Sequence, residues 1–199
     1  GVSFLKQKAG RADGTHIVRI IEADALQILL KDFAVYGNRA NQTSGMGSGI
    51  FVDNNAGGGG MMRHYVNNVL IYGVKGHGLD WGYGCGGSLI DGLQTYQCDG
   101  YGVSMGNFTD STCTNVDVGR SGLSGFYIAG CNNSRFSNLK SWYSGMVDGT
   151  TVGTPSHGYY IRGGSTGMNT SVFSNITSQE NTGPGMLIYG QGGTSANTV

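Results

Sequence analysis

The sequence predicts an all-β fold, a right-handed parallel β-helix wound as a single-stranded solenoid of about seven coils, and three observations predict it. First, the stretch from Val66 to Ile128 repeats itself three times: VNNVLI, IDGLQT and CTNVDV start at Val66, Ile90 and Cys113, and LDW, VSM and FYI follow at Leu79, Val103 and Phe126. The centres Val69, Leu93 and Val116 lie 24 and 23 residues apart, a fixed period that marks a solenoid. Second, each repeat holds short alternating apolar triplets split by Gly78, Gly102 or Gly125. Helical hairpin repeats need long runs of 3.6 period, and leucine-rich repeats need a leucine framework. Third, Asp32, Asn68, Asn115, Asn138 and Asn175 stand at one place in successive coils. An internal ladder of stacked amides is expected there, interrupted at Gly92.

The elements follow in order. Residues 1–24 read as an irregular first coil in which THIVRII (15–21) is a strand, and Glu22, Asp24 and Lys31 read as solvated turn residues. ALQILLKDFAV (25–35) opens the regular coils, which continue to residue 190 with insertions at 36–49, 53–65 and 143–157. Phe33 to Ile50 spans 17 residues and Leu139 to Tyr159 spans 20, where the regular coils use 10. These two insertions leave the same corner of the solenoid. Three lean coils separate them, leaving roughly 15–20 Å of open surface at the interstrand spacing. The insertion at 53–65 carries four consecutive glycines and reads as a flexible tip. The whole chain, 1–199, reads as one β-helix domain and as a fragment of a longer protein, because it opens in mid-repeat.

Composition narrows the function. Glycine supplies 38 residues and proline 2, which excludes collagen and proline-rich linkers. The glycines are expected at turn positions that need positive φ. Lys plus Arg equals Asp plus Glu at 12 each, which argues against nucleic acid and polybasic membrane surfaces. No apolar run is long enough for membrane insertion. No metal and no cofactor is expected: the four histidines never fall at ligand spacing, no CxxC occurs, and GMGSG and GQGG precede no helix. Cys113 takes an inward place and Cys98 a mid-turn place alongside Val74, both read as buried thiols. Cys85 and Cys131 lie two coils apart, about 10 Å, too far for a disulfide.

The candidate site lies between the two corner insertions. In register, Tyr72, Tyr96, Gly119 and Trp142 form one row, and Gly73, Gln97, Arg120 and Tyr143 the next; Lys75 stands above Asp99, and His77 is level with Tyr101. Rings beside charged and amide groups suit a sugar chain, whose C–H faces stack and whose hydroxyls need donors and acceptors. Tyr72, Tyr96, Tyr101, Arg120, Trp142 and Tyr143 are therefore the substrate-binding candidates. Stacked aromatics also stabilise a β-helix unaided. Asp99, Glu180 and His77 are the catalytic candidates, because glycoside hydrolysis wants two carboxylates about 5–10 Å apart. A lyase would instead use a base, with His77, Tyr101 and Arg120 available. The bland reading pairs Asp99 with Lys75 and Asp117 with Lys140 as surface salt bridges. Asp148, followed by His157, lies in the third insertion.

VYGNRANQTSGMGSGIFV, followed by NVLIYGVKGHGLDW and SNITSQENTGPGMLIY, resembles the pectate-lyase-like parallel β-helix superfamily. Within it the likeness is to phage tailspike and receptor-binding proteins, where a D/Y-G-N-x-x-N-Q-T turn precedes the regular coils. The resemblance covers residues 25–190. It implies a homotrimer on the virion or outside the cell that binds, and in many cases cleaves, bacterial surface polysaccharide, with acids on one subunit or between subunits. The calcium-binding aspartates and arginine base of true pectate lyases have no clear counterpart. Three functions follow: a glycan depolymerase, a non-catalytic receptor-binding or adhesin segment, and a structural spacer.

Overall fold

The computed structural model describes residues 3–10, 14–21, 27–42, 47–53, 63–82, 86–147, 150–151, 156–163, 168 and 170–190. Side chains at 147, 150 and 151 are outside that description. Glu22, Asp24, most of the second insertion, Cys85 and Asp148 lie outside the described residues.

Among the described residues, fourteen strands form two parallel sheets. Sheet A contains, in spatial order, β1 (Ser3–Lys6), β3 (Gln27–Tyr36), β5 (Arg63–Val74), β7 (Leu89–Cys98), β9 (Thr112–Ser121), β11 (Arg135–Trp142) and β15 (Val172–Gln179). Sheet B contains β2 (Val18–Ile21), β4 (Ile50–Asp53), β6 (Leu79–Trp81), β8 (Val103–Gly106), β10 (Phe126–Ala129), β14 (Tyr159–Arg162) and β16 (Met186–Tyr189). The chain visits the sheets alternately, so each coil adds one strand to each, and seven coils make a parallel β-helix. A small antiparallel hairpin, β12 (Met146–Val147) with β13 (Thr150–Thr151), decorates the third insertion. Among the described residues no helix is long and apolar enough to cross a membrane.

The repeat motif explains the bend in each sheet A strand. In β5, Val66 is buried, Asn67 and Asn68 both face outward, and Val69 is buried again. Strict alternation would turn every second residue inward. A left-handed residue inserted between the two halves resets the phase, and Asp32, Asn68, Gly92, Asn115, Asn138 and Asn175 all have φ between 50° and 70°. Asn, Asp and Gly tolerate this region best. The amide ladder therefore forms, but on the exterior rather than inside as expected. Asn68 Nδ2 donates to Asp32 Oδ1 (2.8 Å), and Asn175 Nδ2 donates to Asn138 Oδ1 (3.0 Å), on exposed side chains.

Inside, apolar rows stack coil upon coil: Val69, Leu93, Val116 and Leu139 from sheet A face Leu79, Val103, Phe126 and Tyr159 from sheet B. Trp81, Phe108 and Phe136 are fully buried and pack ring against ring, Trp81 on Phe108 at 5.7 Å and Phe108 on Phe136 at 5.9 Å. Each such ring contributes roughly 1.5–3 kcal/mol by leaving water. A serine ladder closes the turns before sheet A: His64 and Ser88 donate backbone N–H groups to Ser88 Oγ (3.1 Å) and Ser111 Oγ (2.9 Å). The series continues through Ser134 and Ser171.

Three expectations are corrected. The start of the chain is not irregular: Ser3–Lys6 and Val18–Ile21 give one strand to each sheet, since β1 pairs with β3 and β2 with β4. The second insertion ends earlier than residue 65, because β5 begins at Arg63. Gly78, Gly102 and Gly125 lack positive φ; close approach selects them instead. A Cβ on Gly78 would lie 2.5 Å from the Gly102 carbonyl oxygen, and one on Gly49 2.9 Å from that of Gly78. Neighbouring coils meet backbone to backbone at this corner. Cys98, Cys113 and Cys131 are free and buried, and burial pushes the Cys98 and Cys131 thiols up to about 12.

Candidate functional site

Sheet A presents its outward row of rings where the strands end. Tyr72, Tyr96, Gly119 and Trp142 are register partners, as the sequence indicates, and Tyr36 extends the row by one coil. Tyr36 stacks on Tyr72 at 5.6 Å and Tyr72 on Tyr96 at 5.7 Å. Gly119 leaves a gap that Trp142 crosses, its ring 5.5 Å from Tyr96. A Cβ on Gly119 would sit 2.6 Å from the indole. Trp142 Nε1 donates to Asp117 Oδ1 at 2.6 Å, which fixes the ring. Cations flank the ladder: Lys140 lies over Trp142 at 5.6 Å, and Arg120 over Tyr96 at 5.6 Å and Tyr143 at 5.8 Å. Such placements contribute about 0.5–1 kcal/mol each at exposed sites.

The expected Asp117–Lys140 salt bridge does not form: no ion pair joins them among the described residues, because the indole N–H takes the carboxylate and the ammonium sits on the ring. Asp99 does pair with Lys75, at 3.4 Å. Arg39 also reaches Asp99. This arginine belongs to a short 3-10 turn, Arg39–Asn41, in the first insertion. Gln42 Nε2 anchors the same turn on the Lys8 carbonyl (3.0 Å). Asp99 thus clamps the insertion to the lean coils.

The catalytic candidates do not assemble. Glu180 follows Gln179, whose carbonyl accepts the Tyr143 N–H, so it stands three coils from the coil that carries Asp99, roughly 14 Å along the axis. That exceeds the carboxylate spacing of a glycosidase. Glu180 lies beside Tyr143 instead, and its carboxylate holds the Tyr143 phenol above its ordinary pKa. His77 and Tyr101 lie round the corner on the side of sheet B. They stack at 5.1 Å, Tyr101 stacks in turn on Tyr127 at 4.8 Å, and Tyr160 meets Tyr127 edge-on at 5.6 Å. His77 Nδ1 accepts the Tyr101 N–H (2.9 Å), so the neutral ring carries its proton at Nε2 and offers a donor there. Burial lowers its pKa against the pull of Asp80, and burial raises that of Tyr101. The candidates thus divide between two ladders: Tyr72, Tyr96, Trp142, Tyr143 and Arg120 on sheet A, and His77 and Tyr101 toward sheet B.

Sequence reasoning missed the second ladder, although the middle tyrosines of FYI and YYI, Tyr127 and Tyr160, repeat in register. It also missed the floor beside the first ladder. Leu70, Gln94, Asp117 and Lys140 form an outward row between the rings and the amide ladder. Three depressions of about 430, 370 and 210 Å³ lie along it, and Gln94 lines all three. Among the described residues no cluster of three or more His, Cys, Asp or Glu is placed to hold a metal ion.

No protein-family model matches the chain, and no curated protein matches it. Among solved structures the chain is similar to the A-module of mannuronan C-5 epimerase AlgE4 from Azotobacter vinelandii, at 15% identity over 98% of this chain and 80% of that one, with a TM-score of 0.40. It is also similar to the AlgE6 A-module from the same organism, at 15% identity over 97% and 80%, with a TM-score of 0.37. Likeness at this level carries no inference about activity.

Proposed function

We propose that the chain is a polysaccharide-binding β-helix of a phage tailspike or a secreted protein, working outside the cell or on the virion surface as part of a homotrimer. The observation that carries the binding is the ladder Tyr36, Tyr72, Tyr96 and Trp142, a half-exposed apolar track parallel to the axis with cations and amides beside it. Successive rings recur about every coil, and stacking on sugar C–H faces needs such a repeating platform. The virion setting and the trimer rest on the resemblance of the YGNRANQT turn and its following coils. The test is a panel of bacterial capsular polysaccharides and exopolysaccharides incubated with the protein. Retention that weakens in Trp142→Ala and Tyr96→Ala supports the reading. Unchanged retention in both variants refutes it, and sedimentation reports the subunit number.

A polysaccharide depolymerase is the second reading. The observation favouring it is the half-buried stack of His77, Tyr101 and Tyr127 beside Asp80, where burial lowers the His77 pKa and raises that of Tyr101. Shortened chains in the same panel support it, and absorbance from unsaturated uronates separates a lyase from a hydrolase. Unshortened chains leave the receptor-binding or adhesin role.

A further inference from the structure

We infer that the trough between the two ladders of sheet A binds a neutral polysaccharide, lying along the solenoid axis with its rings on the Tyr72–Trp142 side and its hydroxyls on the amide side. This rests on the glycan-binding reading and names its place and ligand class.

The trough has two chemically different walls. One is the aromatic ladder. The other is the exterior amide ladder, where each Asn side chain spends one N–H on the coil before it, as Asn115 Nδ2 does on Asp91 Oδ1 at 2.7 Å. An amide has two N–H groups and two acceptor lone pairs, so each asparagine rung keeps a donor and an acceptor for a ligand. The floor of Leu70, Gln94, Asp117 and Lys140 is open to both. Coils advance about 4.8 Å, close to the advance of one pyranose in an extended chain, so each coil addresses about one sugar.

Charge selects the class. Asp32 and Asp117 line the depressions and Asp91 bonds the amide wall; Lys140 stands among the same residues over the Trp142 ring, and Arg120 lies beyond the ring row, over Tyr96 and Tyr143. Lys31 pairs with Asp32 at 3.7 Å, both well exposed. Asp91 and Asp117 are held by an amide and an indole N–H, neutral donors that leave their charges in place. A polyanion would meet these carboxylates. Sugar hydroxyls instead find in them strong acceptors, beside the donors of Gln94 and the asparagines.

The experiment uses affinity electrophoresis through gels containing neutral glucans, mannans or galactans, against gels containing polyuronates and the same polyuronates after carboxyl reduction. Two variants accompany the wild type: Gln94→Arg, which fills the centre of the trough, and Ser104→Arg, which places the same side chain outward on sheet B. Thermal melts confirm that both fold. Expected are stronger retardation by neutral or carboxyl-reduced polymers than by polyuronates, a roughly tenfold or greater loss of affinity in Gln94→Arg, and little change in Ser104→Arg. Preference for the native polyuronate overturns the neutral assignment while glycan binding stands. Loss in Ser104→Arg with retention in Gln94→Arg overturns the trough while glycan binding stands. Failure of the wild type to bind any polymer removes both the binding reading and this inference.

Discussion

The two ladders of sheet A each lose one rung to a glycine, and they heal the loss differently. In the amide ladder the missing rung is Gly92, and the adjacent Asp91 lends its carboxylate to Asn115 from the same coil. In the aromatic ladder it is Gly119, and Trp142 leans across from the next coil to reach Tyr96. A hydrogen bond works only within about 2.7–3.2 Å, so a polar ladder needs a substitute at the gap itself. Ring contacts tolerate 4.5–7 Å between centroids, so a larger ring one coil away suffices. Polar repetition is therefore repaired locally in sequence, and aromatic repetition by size.

The strongest way to break this contrast is Trp142→Ala. It removes the bridge, the bond to Asp117 and the ring under Lys140, and should cost about 2–3 kcal/mol, below the 3–5 of a fully buried ring. Urea unfolding would show it, and a loss below 0.5 kcal/mol would mean the bridge contributes nothing to the fold. Gly119→Ala tests the space the bridge requires. Its Cβ would push the indole away, so roughly 1–2 kcal/mol of destabilisation is expected, with Trp fluorescence shifted toward that of an exposed indole.

The amide repair should be weaker. Asp91→Ala removes an acceptor from an exposed bond, for about 0.5–1 kcal/mol. Gly92 has φ of 70° and its Cβ would find only ordinary contact, 3.4 Å from the Asn68 nitrogen. Gly92→Asn should therefore restore the regular rung and offset most of the Asp91→Ala loss in a double-mutant cycle. Simple additivity would argue that the gap is not a ladder position.

The smallest effect separates both ladders from the titratable stack toward sheet B. His16 and His77 accept the N–H groups of Ser48 (3.0 Å) and Tyr101 (2.9 Å) at Nδ1, and burial is the main cause that holds both pKa values below the ordinary 6.5. The unfolded chain then binds protons first, so stability is full above pH 6.5 and declines as pH falls below it. Melting temperatures at pH 7.5 and 5.5 should show the decline, and His77→Asn should reduce it. A pH-independent melt would sink the assignment.

Much of this was legible because a solenoid writes its register into spacing. The pairs Val69 with Leu93 and Lys75 with Asp99 followed from a count of residues. The location of the amide ladder did not, because the left-handed bend that turns Asn68 outward is invisible in an apolar-x-x-apolar pattern read as plain alternation. Nor could spacing show that Trp142 rather than Lys140 takes Asp117, since the contest is decided by ring size across Gly119. The serine ladder was readable in the 23-residue steps Ser88, Ser111 and Ser134, and small polar residues before a strand pass easily for turn filler.

By itself the sequence determined the period, the parallel coil, the inward apolar rows and the shared corner of the first and third insertions, because burial repeats with the chain and leaves a periodic trace. Only the tertiary structure decided which face each polar rung takes, which acids are already engaged and where a trough opens. Those outcomes depend on bends and side-chain reach between coils, and sequence neighbours do not record them.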